Sequence, residues 1–268
     1  MKRISLGAVV VSIIVAAVSQ KAYAADMPDK NVPDSEAPSA RVYGWTGWRA
    51  GVNGGGAFDP GQTVGVNETS SGAPFISGSW PGFGTFGSLK PSGSFGGGQI
   101  GYNWQTGSWV LGIEGDIQGA SVQDTQSVTI SPYISAPNGI TVATSDKLSW
   151  FGTVRGRVGW AADRWLLYAT AGFGVGGIRY ASNMVDTFGF SAVNSVNTTR
   201  GGYVVGGGVE YAFQQNWSVK LAYQFLDLGS ATFNSVEFSA GAPTLLVLSN
   251  NVKFDYQTVR VGLNFKFN

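Results

Sequence analysis

Residues 148–160 read LSWFGTVRGRVGW. Side chains alternate between the two faces of an extended chain, so Leu148, Trp150, Val154, Val158 and Trp160 share one face and Ser149, Thr153, Arg155 and Arg157 the other. Three further stretches repeat the pattern. In 109–120, Trp109, Leu111, Ile113 and Ile117 oppose Glu114, Asp116 and Gln118; in 217–225, Trp217, Val219, Leu221, Tyr223 and Phe225 oppose Ser218, Lys220 and Gln224. The last strand sets Val259, Val261, Leu263, Phe265 and Phe267 against Thr258, Arg260, Asn264 and Lys266. Four weaker stretches, 46–58, 94–104, 165–180 and 200–213, bring the expected strands to eight; in the last of them Tyr203, Val205, Val209 and Tyr211 oppose Glu210.

The connections alternate in length. About 34, 26, 19 and 24 residues separate strands at one end, against about 3 or 4 at Gln105–Ser108, Ala161–Arg164 and Gln214–Asn216 at the other, the plan of a barrel with short periplasmic turns and long extracellular loops. An even strand count places both termini on the periplasmic side. The long loops are expected at 59–92, 122–147, 181–199 and 228–251.

Composition agrees with this plan. Charged residues make up only 12% of the chain, roughly half the usual share of about 25%, while aromatics reach 13% and glycines number 40. Residues 1–24 have the form of a signal peptide: Lys2 and Arg3, an apolar run from Leu6 to Val18, then Ala22-Tyr23-Ala24 as the cleavage site. That run is too short to cross a hydrocarbon core of about 30 Å as a helix. Residues 25–42, with Pro28, Pro33 and Pro38 among small and acidic residues, read as a disordered periplasmic segment, and 43–268 as the barrel.

Removing Lys2, Arg3 and Lys21 from the 17 basic residues leaves 14 against 16 acidic ones, net −2, which argues against nucleic acid as a partner. There is no cysteine and no histidine, so disulfides, thiolate metal sites and the commonest general base are excluded.

Aromatic residues flank the short turns. Tyr102, Trp104 and Trp109 surround the first, Trp160 and Trp165 the second, Tyr211, Phe213 and Trp217 the third, with Trp45, Trp48, Phe265 and Phe267 added from the chain ends. They read as a girdle at one membrane interface, the alternative being cross-strand pairs in a soluble sheet. A soluble barrel of the lipocalin kind would turn its charged face to water. Here that face is mostly Gly, Gln, Asn and Thr with isolated charges, which suits a crowded lumen. Strict alternation points Arg49, Glu114, Asp116, Arg155, Arg157, Glu210, Lys220, Arg260 and Lys266 inward. Such charges need partners, because an uncompensated buried charge is expensive. Glu114 opposite Arg155 is one expected pair.

As a set, the segments GWTGWRAGVNGGGAF, GGGQIGYNWQTGSWVLGIEGDIQGA, WFGTVRGRVGWAADRWLLYATAGFGVGG, GGYVVGGGVEYAFQQNWSVKLAYQFLDLG and VRVGLNFKF resemble the porin-family small outer-membrane barrels of alphaproteobacteria, a family of surface antigens and haemin-binding surface proteins. The resemblance implies an eight-stranded antiparallel up-and-down barrel in the outer membrane, with envelope integrity and immune recognition as the usual roles. Such barrels usually end on an aromatic residue, and here Asn268 follows Phe267.

Other motifs are weaker. Gly172 to Gly177 match a dinucleotide-binding string but lack the strand–turn–helix setting it needs. Gly152 and Gly156 make a helix-pairing motif inside a strand. Glu114 and Asp116 share a face and have the form of a glycosidase pair, but lumen charges matched by arginines are the simpler account. No catalytic residues, cofactor or metal are expected. The expected partners are outer-membrane lipid and a loop-bound surface ligand, haemin or a host molecule. For haemin a tyrosine such as Tyr133 is the ligand type that remains. A structural surface barrel is the leading function, with a narrow diffusion channel and a haemin receptor as alternatives.

Overall fold

Period-two alternation lets a strand bury one row of side chains while showing the other to lipid, and only a closed ring leaves no backbone edge unpaired in hydrocarbon. The computed structural model describes residues 43–59, 62–63, 65–70, 88–130, 140–186, 190–239 and 242–267. Among them eight long strands run in chain order: Gly47–Phe58 (β1), Ser92–Thr106 (β2), Trp109–Ile130 (β3), Ile140–Ala162 (β4), Trp165–Asp186 (β5), Phe190–Ala212 (β6), Trp217–Ser239 (β7) and Ala242–Lys266 (β8). Each pairs antiparallel with the next, and β1 pairs with β8 from Arg49↔Lys266 to Phe58↔Gln257, closing the ring.

The turns at the short-loop end are tight. Gly107 and Asp163 take left-handed φ values of 61° and 51°, which let two residues reverse the chain between β2 and β3 and between β4 and β5. Residues 213–216 connect β6 to β7.

The opposite end differs from the loops expected at 122–147, 181–199 and 228–251. Most of these residues continue the strands, so β3 to β8 are 22 to 25 residues long. A membrane crossing needs about 9–11. The upper halves are rich in Thr, Ser and Val, as in SVQDTQSVTI (121–130) and ITVATSDK (140–147), and such residues keep pairing beyond the lipid. In the first segment, 59–92, Gly65–Ser70 adds a strand to β8, and Gln62–Thr63 pairs with Ser88–Leu89. The wall also parts above the membrane: β6 and β7 pair up to Tyr203↔Asp227 and next at Ser191↔Phe238.

A bulge in β4 changes the faces expected for residues 148–160. The register of β4 slips between Leu148 and Trp150, so Leu148 points into the barrel, fully buried, and Trp150 points out. One extra residue in a strand reverses the faces beyond it. The expected signal peptide (1–24), the segment 25–42, Tyr133 and Asn268 lie outside the described residues.

Orientation is testable. Epitope tags inserted between residues 131 and 139 or 187 and 189 should be labelled on intact cells, and tags at Asp163 or Gln215 only after permeabilisation. The reverse pattern would invert the barrel.

Candidate functional site in the barrel lumen

The inward-facing residues stack in three layers. At the mouth beside the short turns the chain preceding β1 folds into the ring, where Tyr43 and Trp45 pack with Val110, Leu166 and Tyr168. The Trp45 amide donates to Gln105 Oε1 at 2.7 Å and its indole N–H to the Asp163 carbonyl at 3.3 Å. Trp45 is therefore a buried stopper residue, 2% exposed, and not part of the outer girdle where its sequence position placed it. Lys266 lies at this mouth, its ammonium donating to the Gly44 carbonyl and 5.1 Å from the Tyr43 ring centre.

The middle layer is ionic. Glu210, fully buried on β6, accepts from Arg49 at 3.0 Å, Arg157 at 2.8 Å, Ser218 at 2.6 Å and Asn264 at 2.9 Å. Arg157 also lies 3.7 Å from Glu114 and stacks on the Tyr168 ring at 3.9 Å. Glu114 accepts from Lys220 at 2.8 Å and from Arg155 at 2.7 Å. Arg155 then reaches Asp116, which Arg260 meets at 3.1 Å. The series Arg49, Glu210, Arg157, Glu114, Arg155, Asp116, Arg260 thus runs across the lumen through β1, β6, β4, β3 and β8, with Lys220 of β7 attached. Of the nine charges assigned inward by alternation, eight belong to this array; Lys266 has no carboxylate partner among the described residues.

The third layer, toward the outside, is apolar. Phe95, Val122, Leu148, Phe151, Ile178, Leu226 and neighbouring residues form one buried cluster. The Arg260 guanidinium lies 5.3 and 5.9 Å from the Phe95 and Phe151 ring centres, joining the two upper layers. Nothing in the sequence reading anticipated this cluster. Much of it lies beyond the expected strand ends, and Leu148 was placed on the wrong face.

Long side chains fold over lumen glycines. A Cβ on Gly262 would lie 3.0 Å from the Lys220 stem; on Gly159, 2.8 Å from Leu166; on Gly176, 2.8 Å from Leu228. The motif at 172–177 sits inside β5, which continues as strand to Asp186. Glu114 and Asp116 are both held in ion pairs with cations. No cluster of three or more His, Cys, Asp or Glu side chains suited to a metal occurs among the described residues.

The coupling in the array is measurable. Glu114 and Arg155 stand opposite each other in the β3–β4 register. Glu114→Ala should destabilise the barrel, and the double variant with Arg155→Ala should cost less than the sum of the singles by about 0.5–3 kcal/mol. Additive losses in urea titrations would show that the pair is not coupled.

A second group lies above the membrane. Asp146, on the upper part of β4, is 1% exposed and accepts from the Tyr256 hydroxyl at 3.1 Å. Burial pushes its carboxyl up to about 6; Asp59 and Asp124 push the same way, against the Tyr256 hydrogen bond. A carboxyl whose folded pKa exceeds its unfolded value of about 4 favours folding below that value and loses the contribution as pH rises through about 6. Asp146→Asn should therefore match the wild type near pH 4 and exceed its stability at pH 7 to 8. A constant difference across that range would contradict the assignment.

The outer surface carries aromatics at two heights. At the lower rim, beside the short turns, Trp48, Trp104, Trp109, Trp160, Trp165 and Phe267 are all at least half exposed, and Tyr102, Tyr211, Trp217 and Phe265 are partly covered. Neighbours in this rim touch: Trp48 and Tyr102 are 5.3 Å apart, Trp165 and Tyr211 4.5 Å, Trp217 and Phe265 5.1 Å. An upper rim of Phe58, Trp150, Tyr203 and Tyr223, overlooked in the sequence, lies six to ten residues further along the same strands. Ten residues at about 3.3 Å each, tilted by about 40°, rise about 25 Å, the height of an apolar band in such barrels.

A closed antiparallel ring with an apolar belt between two aromatic rims and a polar, charged interior is a transmembrane β-barrel, and its location is the outer membrane. The chain belongs to the outer membrane protein β-barrel domain family, whose model matches residues 11–267. It is 34% identical over 265 residues to a 31 kDa outer-membrane immunogenic protein of Brucella melitensis, covering 97% of this chain and 99% of that protein. It is 32% identical over 204 residues to a 22 kDa outer membrane protein of Rhizobium leguminosarum, covering 71% and 79%. Among solved structures it resembles the outer membrane protein OprG of Pseudomonas aeruginosa, with 13% identity, a TM-score of 0.45, and 85% of this chain and 99% of that chain covered.

Proposed function

We propose that the protein is a non-conducting, non-catalytic structural barrel that contributes to envelope integrity and presents its long outer hairpins as an interaction and antigenic surface. The single observation that carries this reading is the filled lumen, in which an aromatic stopper, an ionic array and an apolar cluster succeed one another along the axis. Eight strands enclose a space that side chains suffice to fill. The antigenic part rests on the relationship to the Brucella immunogenic protein and on hairpins that extend well past the lipid.

Cells lacking the protein should lose resistance to detergents and large antibiotics, and complementation with the wild-type gene should restore it. Unchanged resistance in the deletion strain would contradict a structural role.

A further inference from the structure

We propose that the outer wall of β4, β5 and β6, just above the upper aromatic rim, binds the phosphorylated sugar of an outer-leaflet glycolipid. The register aligns Gln123, Lys147, Arg179 and Asn197 in one row across β3 to β6, all facing outward. Lys147 and Arg179 are direct cross-strand partners. Two like charges so placed repel each other unless an anion lies between them. Their outward-facing neighbours among the described residues supply none. The row above is Thr125, Ser145, Ala181 and Ser195, the row below includes Trp150, Gly177 and Thr199, and the adjacent acids Asp124 and Asp146 belong to the inward-facing rows.

A groove of about 230 Å³ opens beside the pair, lined by Ser149, Trp150, Gly177, Arg179, Asn197 and Thr199. Gly177 permits the groove's aromatic wall, since a Cβ there would overlap the Trp150 indole. Arg179 Nε donates to Asn197 Oδ1 at 2.7 Å, which holds the guanidinium at the groove while leaving its other N–H groups for an anion. The setting selects the ligand. Below Trp150 the wall is lipid-facing, and above it polar, so a molecule filling the groove has its acyl chains beside the apolar belt and its phosphate beside Lys147 and Arg179. An aromatic wall with hydroxyl and amide groups suits a sugar ring.

Native mass spectrometry of the refolded full chain tests this with bisphosphorylated lipid A, its dephosphorylated form and inorganic phosphate as probes. The wild type should retain bisphosphorylated lipid A. The Lys147→Gln/Arg179→Gln variant should retain it on the order of thirtyfold more weakly, at about fivefold for each cation removed at a membrane surface. Gly177→Leu, which displaces the Trp150 wall without changing charge, should also lose retention. Equal retention by wild type and both variants would overturn the proposal, as would equal retention of the dephosphorylated lipid. Binding of inorganic phosphate without lipid would instead assign the row to a free anion.

Discussion

Replacing Glu210 with alanine should lower the unfolding free energy by about 3–5 kcal/mol, the range found when one partner of a buried ion pair is removed. Glu210 is the most heavily shared carboxylate among the described residues of the lumen. Its carboxylate faces Arg49 and Arg157, and it also accepts from Ser218 and Asn264. The described array already holds five cations against three carboxylates, so the loss raises the uncompensated charge from two to three. The cost comes from the charges left behind more than from the bond lost, so Glu210→Gln, which keeps the shape and loses the charge, should recover little. Equilibrium unfolding in urea from lipid vesicles measures both. A loss below about 1 kcal/mol would mean that water replaces the carboxylate.

The second large effect lies on the opposite face of the same strands. Leu221 faces lipid between Trp217 at the lower rim and Tyr223 and Phe225 higher on β7, and its register neighbours are Val209 and Val261. An arginine there sits near the bilayer midplane and should cost about 2–4 kcal/mol. Leu221→Ala, which leaves the face apolar, should cost clearly less. The same arginine placed at Trp217, near the interface, should cost no more than about 1 kcal/mol beyond the loss of the ring. Equal penalties at the two depths would show that this face does not cross a membrane.

The ring itself was legible because its two signals are local. Alternation needs only a few consecutive residues, and the aromatics beside Gly107 and Asp163 mark the turns directly. Alternation also assigns Glu114, Arg155, Glu210 and Arg260 a face, since the period alone decides it. It does not assign partners across the ring: Arg49 and Glu210 are 161 residues apart, and their meeting depends on how β1 closes against β8 and how the side chains cross the lumen. Two features left weaker marks. The bulge at Leu148 changes no composition, yet it turns an apparently lipid-facing leucine into part of the apolar cluster. The strand extensions lack an alternating aromatic face because no lipid lies beside them, so Ser- and Thr-rich stretches read as loops. Trp45 shows the remaining ambiguity: an aromatic just outside a strand suits a membrane rim and a stopper equally, and the choice depends on which way the chain enters β1.

Single-molecule conductance of the refolded wild-type protein in a planar bilayer reports whether the lumen is filled. A lumen filled in this way should let the protein insert without steady current in molar potassium chloride, because among the described residues the stopper at Tyr43 and Trp45, the ion pairs around Glu114 and Glu210, and the cluster at Phe95 and Phe151 follow one another along it. Steady, reproducible single-channel steps from the wild-type protein would contradict it and make the barrel a narrow diffusion channel.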